Sequence, residues 1–192
     1  MQIEAWDKVA SEANFNLEID LPKFIERIPS EERILDYGCG YGRITEILFK
    51  KGYVNIVGVD SSGEMIRRGK LEHPHISLQK TEGSRLSYPN STFGAVVVCA
   101  VLTCLPEQQQ KMNVLSEIKR VLRPGGILHL VEFCGESNNI FTSKMGVLMQ
   151  HQTPKDLRSF LSTFTELSTK VTKTKTMSGN NAKAFSYFGQ NT

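Results

Sequence analysis

Three glycines at alternate positions, Gly38, Gly40 and Gly42, mark where this 192-residue chain could hold a ligand. They follow the apolar run Ile34-Leu-Asp-Tyr37 and lead into a stretch of helical period, so a strand turns directly into a helix. Glycine suits backbone at positive φ, or backbone against which a ligand lies with no room for a Cβ. The helix N-terminus beside the turn adds free N–H groups. The spacing is GxGxG, whereas dinucleotide folds favour GxGxxG, and no Gly-Lys-Ser/Thr follows as in a P-loop. Asp60 ends the next apolar run, close to the distance of about 20 residues at which an acid accepts hydrogen bonds from ribose hydroxyls. Two readings of Asp60 stand: ribose binding, or capping of the following helix, a role Ser61 or Ser62 fills equally well.

The remaining candidates for chemistry are histidines and cysteines. In an open α/β sheet the ligand site lies beyond the carboxyl ends of the strands. His73 and His75 precede a strand and so fall at the wrong edge. His129 sits mid-strand and reads as a hydrogen-bonded core residue. His151 follows the fifth apolar run, on the correct side, either as a general base or as a solvated loop residue. Cys39, Cys99, Cys104 and Cys134 form no CxxC pair and no zinc-ligand spacing with histidine, which leaves them as reduced, mostly buried thiols and no metal site.

The elements that must position these residues alternate along the chain. Strand character recurs at Arg33–Asp36, Val54–Val59, Ile76–Gln79, Ala95–Cys99 and Ile127–Phe133, with helices over Arg43–Lys51, Gly63–Leu71 and Gln108–Leu122. The last helix carries Met112, Leu115, Ile118, Lys119 and Leu122 roughly on one face. Strand then helix, repeated, predicts an α/β fold: a doubly wound, mostly parallel sheet with helices on both faces. Val54–Val59 and Ala95–Cys99, apolar throughout, should flank the core strand Arg33–Asp36. A helix starts at Thr153-Pro-Lys-Asp156, and the strands Phe164–Thr176 and Ala182–Phe188 form a hairpin across Ser178-Gly-Asn-Asn181. Lys173 and Lys175 share one face of that hairpin, as a basic binding strip or as charge that keeps an exposed edge from pairing.

The whole chain, 1–192, reads as one domain. Residues 1–29 form a helical cap anchored by Trp6 and Phe15, and 134–152, with Phe141, Met145, Val147, Leu148 and Met149, form either an apolar acceptor cover or an ordinary connecting helix. A net charge of +3 is too small to indicate nucleic acid. No apolar run approaches the roughly 20 residues of a membrane span and the start shows no signal-peptide pattern, so the expected location is the cytoplasm.

From residue 30 to 189 the sequence resembles the class I S-adenosylmethionine-dependent methyltransferases of the small-molecule type. The likeness rests on Leu35–Gly42, on Glu82–Phe93 as a third motif, on Cys99-Ala-Val-Leu-Thr103 after the fourth strand, on Leu122-Arg-Pro-Gly-Gly126 and on the closing hairpin. It implies a Rossmann-like, three-layer fold whose seven-stranded sheet has a reversed last strand, and S-adenosylmethionine as cofactor with S-adenosylhomocysteine as product. By the same resemblance Gly38 and Gly40 pass under the methionine part, Asp36 helps fix its amino end and the Cys99 carbonyl faces its ammonium. Asp60 holds the ribose, Ser61 and Met65 lie along the adenine, and Glu82 and the Gly83 amide meet its ring.

Two departures stand out: Gly94 where the family commonly has aspartate, and Thr103 where it often has histidine. Trp6, Tyr41, Thr103 and Phe141 are the expected acceptor contacts. Methyl transfer is an in-line displacement, so the protein mainly positions the partners and excludes water, and a base such as His151 is needed only when the nucleophile must lose a proton early. The Asn/Asp-Pro-Pro-aromatic segment of nucleic-acid amino-methyltransferases is replaced by Cys99-Ala-Val-Leu, which puts a small molecule ahead of a protein side chain as acceptor. Rival readings are an NAD-dependent oxidoreductase and a non-catalytic binding subunit; the glycine spacing opposes the first, Asp60 and Glu82 the second. The assembly is expected to be a monomer or homodimer.

Overall fold

The computed structural model describes residues 2–83 and 85–192. Seven strands form one sheet: β1 (Ile34–Tyr37), β2 (Ile56–Asp60), β3 (Ser77–Lys80), β4 (Phe93–Cys99), β5 (Leu122–Cys134), β8 (Thr165–Lys175) and β9 (Asn181–Gln190). Between β5 and β8 lie a two-stranded hairpin, β6 (Asn139–Thr142) with β7 (Leu148–His151), and the helix α6 (Pro154–Phe160). The remaining helices are α1 (Ile3–Val9), α2 (Leu21–Arg27), α3 (Arg43–Lys50), α4 (Gly63–Glu72) and α5 (Gln108–Val121).

The sheet order is β3-β2-β1-β4-β5-β9-β8, parallel except for β9, the last strand of the chain, which runs antiparallel to both neighbours. This is the doubly wound arrangement that the alternation of elements predicts, with the reversed final strand that the family resemblance implies. The core strand β1 is flanked by β2 and β4, as their unbroken apolar character requires of strands covered on both faces. On one face Leu35, Val96, Val98 and Leu128 pack with Ile118 of α5 and Leu157 of α6. On the other, Ile34, Ala95 and Val97 pack with Phe24 of α2 and Leu48 of α3. The order changes direction around β1 and β4, so the loops after these strands diverge and leave a crevice at their carboxyl ends.

Three expectations are corrected. Residues 134–152 do not form a connecting helix: Phe141 pairs with Met149 across the β6–β7 hairpin, and Ser143–Gly146 closes its turn. Helical spacing of apolar residues there cannot be told from a strand pair whose register is set by contacts elsewhere. The buried face of α5 is Lys111, Val114, Leu115, Ile118 and Val121, and Met112 is half exposed, a rotation of about one residue from the expected face. Lys111 accounts for it, because its ammonium finds Gln150 Oε1 at 2.5 Å and the Phe160 ring at 5.8 Å. Finally, β2 begins at Ile56, leaving Val54 exposed.

His129 is a satisfied core residue. Its Nε2 accepts the Asp20 N–H at 3.0 Å, so Nδ1 carries the proton and donates to the Tyr187 carbonyl at 3.1 Å, with the ring stacked on Phe188 at 4.0 Å. Gly94 also has a structural reason: the Glu32 carboxylate, paired with Arg123, stands where a Cβ would be. A carboxylate thus does occupy this place, delivered from residue 32.

Candidate functional site

A groove of about 1120 Å³, counting the space open to solvent, lies over the carboxyl ends of β1, β2 and β4. Its floor is the glycine turn. Gly38 and Gly40 have φ of +73° and +56°, and a Cβ on Gly40 would stand 2.5 Å from the Phe15 ring, while one on Gly38 would overlap the Val101 side chain. Both positions therefore demand glycine on conformational and on steric grounds.

The acids around the turn are held by the chain itself. Asp60 Oδ2 accepts the Gly40 N–H at 2.8 Å and Oδ1 the Ser62 N–H at 2.8 Å, so the carboxylate braces the turn and each oxygen keeps a lone pair. Helix capping falls to Ser62, whose Oγ accepts the Met65 N–H at 3.1 Å. Burial raises the Asp60 carboxyl above its ordinary value, and backbone amides oppose the shift. Asp36 is buried, accepts the Thr45 hydroxyl at 2.7 Å, and is pushed up to about 6 by burial. Directly after the turn, Arg43 donates to the Leu17 carbonyl, while its buried Nε has no partner among the described residues.

The segment 2–20 crosses above the turn and is pinned at several points. Asp7 Oδ1 accepts Ser62 Oγ–H at 2.6 Å and Glu64 N–H at 3.1 Å at the start of α4. Arg68 donates to the carbonyls of Ala10 and Ala13 and lies 3.9 Å over the Tyr41 ring. Phe15 stacks on Tyr41 at 5.2 Å and meets Trp6 edge-on at 5.7 Å. The far end of the groove is closed by the β6–β7 hairpin and the β8–β9 turn. Gln2 Nε2 donates to Cys104 O at 3.1 Å and Leu148 O at 2.6 Å, and Asn16 Nδ2 donates to Lys175 O and Thr176 O at 3.1 Å each.

Of the residues singled out in the sequence, Asp36, Gly38, Gly40, Asp60, Ser61, Met65, Gly83, Cys99 and Trp6 line this one groove. Five stand elsewhere. Glu82 is exposed beside Gly83. Tyr41 lies under Phe15, its hydroxyl accepting the Phe15 N–H at 3.1 Å. Thr103 is buried, with its hydroxyl donating to Glu132 at 2.8 Å. Phe141 and His151 pack edge-to-face at 4.9 Å, and His151 stacks on Phe133, the ring that faces the groove. Burial lowers the His151 pKa.

Met149, expected as part of an apolar cover, lines the groove, whereas sequence reasoning missed Arg43, Leu17, Val101 and Met177 in the lining, and Glu132 behind it. Glu132 had a signal, an acid at the carboxyl end of an apolar strand. Met177 had none, since it reaches the groove only through the hairpin that carries it. Among the described residues no cluster of three or more His, Cys, Asp or Glu side chains is placed to hold a metal, and no helix is long and apolar enough to cross a membrane.

Comparison with known proteins agrees with this geometry. A family model described as a methyltransferase domain matches residues 35–130, the stretch from β1 into β5. A crystal structure of a SAM-dependent methyltransferase from Methanosarcina mazei superposes with a TM-score of 0.81 at 26% identity, over 88% of this chain and 96% of that one. The Burkholderia thailandensis 1,6-didemethyltoxoflavin-N1-methyltransferase, solved with 1,6-didemethyltoxoflavin and S-adenosylhomocysteine, shares the fold at TM-score 0.70 and 16% identity, over 100% of this chain and 80% of that one. The mouse eEF1A lysine and N-terminal methyltransferase is 35% identical over 109 residues, 52% of this chain and 16% of its own length. The next two curated relatives are covered over 40% and 55% of their lengths.

Proposed function

This chain belongs to the methyltransferase family, and from that premise we propose that it transfers a methyl group from S-adenosylmethionine to a small, uncharged, largely apolar acceptor. The observation that carries the acceptor class is the chemistry of the groove. Its charged residues, Asp36, Arg43 and Asp60, lie in or next to the strand–turn–helix unit or at the end of β2, whereas Leu17, Phe133, Met149 and Met177 line the end under the two hairpins. Among the described residues Arg43, which reaches the Leu17 carbonyl, is the one cation in the lining near that end, so a carboxylate or phosphate moved there would exchange its hydration for a single partner. Gln2 and Asn16, the amides at that end, are engaged with backbone carbonyls and bind the roof shut.

The residues present fit the cofactor. Asp60 has a free lone pair on each oxygen for a ribose hydroxyl, Asp36 supplies an acid for the amino end, and Met65 and Ser61 offer a mixed surface for the adenine. When bound, S-adenosylmethionine supplies a methyl group on a positive sulfur, so the chain need only align the acceptor and keep water away. Roof and partition do this: segment 2–20 covers the turn and Val101 stands directly on Gly38.

No base from the chain is part of this reading. His151 is separated from the groove by Phe133, and burial pushes the Cys99 thiol up to about 12 and Cys104 up as well, so both stay protonated near neutral pH. The acceptor atom is then a nitrogen or oxygen that is nucleophilic at the working pH. The test is incubation with trideuteromethyl-labelled S-adenosylmethionine and three acceptor sets: neutral N-heterocycles, small carboxylic acids, and lysine peptides. Label in the first set is expected. Label confined to peptides or acids would overturn the acceptor class.

A further inference from the structure

We propose that Glu132, buried at the carboxyl end of β5, is a positioning residue that fixes residues 100–105 as the partition between the two ends of the groove. The inference rests on the groove holding the cofactor at its glycine turn. Glu132 is wholly buried, and its two oxygens take four hydrogen bonds from one short stretch of chain. Oε1 accepts the N–H groups of Val101 at 2.9 Å and Leu102 at 2.8 Å; Oε2 accepts the N–H and hydroxyl of Thr103 at 2.9 and 2.8 Å.

Those donors are the unsatisfied N–H groups at the start of the 3₁₀ turn Leu102–Cys104, which has no side-chain cap of its own. The residue just before them, Ala100, has φ of +58°, a strained conformation for a non-glycine residue that persists only where neighbours enforce it. Beyond the Glu132 bonds, Ala100 N–H donates to Val131 O at 2.8 Å. The stretch so held presents Val101 to Gly38 and presents Ala100, Cys104 and Leu105 to the groove. It also gives the Cys104 carbonyl to Gln2, the residue that pins the roof.

An apolar residue would leave three buried N–H groups unmet, so packing alone does not call for an acid here, and the donors do. The titratable groups that face Glu132 are Lys111 from α5, Cys99 from β4 and Cys104 from the 3₁₀ turn. Lys111 ties the other wall, because its partner Gln150 belongs to β7. Lys111 therefore places a cation near Glu132 and ties α5 to the β6–β7 hairpin.

The test compares the native protein with Glu132→Gln and Thr103→Val, using S-adenosylhomocysteine as probe. Glutamine keeps the shape but turns an N–H₂ toward at least one backbone N–H that can only donate. Calorimetric affinity for S-adenosylhomocysteine is expected to fall tenfold or more in Glu132→Gln and less than threefold in Thr103→Val, which removes one donor and leaves the carboxylate. In the native protein the amide resonances of Val101, Leu102 and Thr103 should titrate together near the midpoint of about 6 to which burial pushes Glu132, and that common titration should vanish in Glu132→Gln. A variant that loses thermal stability but binds the probe as the native protein does overturns the positioning role, as do three amides that titrate apart. A native protein that fails to bind the probe removes the cofactor assignment instead, while the shared amide titration still reports on the Glu132 contacts.

Discussion

Replacing Asp60 by asparagine probes the cofactor end with the least change of shape. Each carboxylate oxygen holds one backbone N–H at 2.8 Å and keeps one lone pair for the ribose. Asparagine leaves a single acceptor oxygen, so one of two charge-assisted bonds to the hydroxyl pair is lost and the other becomes neutral. Charge-assisted bonds contribute about 1.5–3 kcal/mol and neutral ones about 1 kcal/mol. The expected loss is about 2–5 kcal/mol, a weakening of about 30-fold or more in S-adenosylhomocysteine affinity. The amide N–H₂ must also face either the Gly40 or the Ser62 N–H, which destabilises the turn. Burial already raises the Asp60 carboxyl, so removing the charge offsets part of that cost and the melting temperature should fall by only a few degrees. Titration calorimetry on both proteins, with melting curves to verify folding, measures the effect. A folded variant binding within threefold of the native protein would refute the ribose role.

Gly38→Ala should lower stability by about 1–3 kcal/mol and weaken probe binding tenfold or more, because a Cβ there meets both a φ of +73° and the Val101 side chain; melting and calorimetry check both. Asp7→Ala removes the acceptor shared by Ser62 Oγ and Glu64 N, at about 1 kcal/mol, and hydrogen exchange should rise in α1 while the sheet stays protected. His129 titrates in the unfolded chain at its ordinary 6.5 and in the fold at about 4, because burial disfavours the cation. Below pH 6.5 the unfolded state binds the proton that the fold refuses, so this residue lowers stability as pH falls towards 4, by about 2–3 kcal/mol over the window. Asp36 and Glu132, raised to about 6, act in the opposite direction between their ordinary values and 6. Urea unfolding of native and His129→Gln proteins at pH 7, 5.5 and 4.5 isolates the histidine: the gap between them should narrow as pH falls, and parallel curves would contradict its assignment.

The sheet was legible because its signals are local. Unbroken apolar runs such as Ala95–Cys99, the glycine turn, and the Ser178–Asn181 turn each specify their own backbone, and the face on which each crossover helix packs follows from right-handed connections. The groove's turn end was legible for the same reason, since Asp36, Gly38, Gly40 and Asp60 are placed by two adjacent strands. The far end was not. Phe141 and Met149 pair across a hairpin whose position depends on Gln2, nearly the whole chain away, and on Lys111. Thr103 was legible as a departure, yet its hydroxyl turns inward because Glu132, 29 residues on, offers an oxygen there. Lys111 lies outside the apolar face read for its helix and is buried because Gln150 and Phe160 come to it. Each of these is a long-range pairing of polar groups, which one sequence does not express as periodicity.

A co-crystal structure with S-adenosylhomocysteine tests most directly that the glycine turn holds the nucleoside. The ribose hydroxyls are expected within hydrogen-bond distance of both Asp60 oxygens, with the amino acid end passing over Gly38 and Gly40 and the sulfur directed towards Leu17, Met149 and Met177. A nucleoside bound elsewhere, or a turn that stays covered by Phe15 with the ligand excluded, would contradict it.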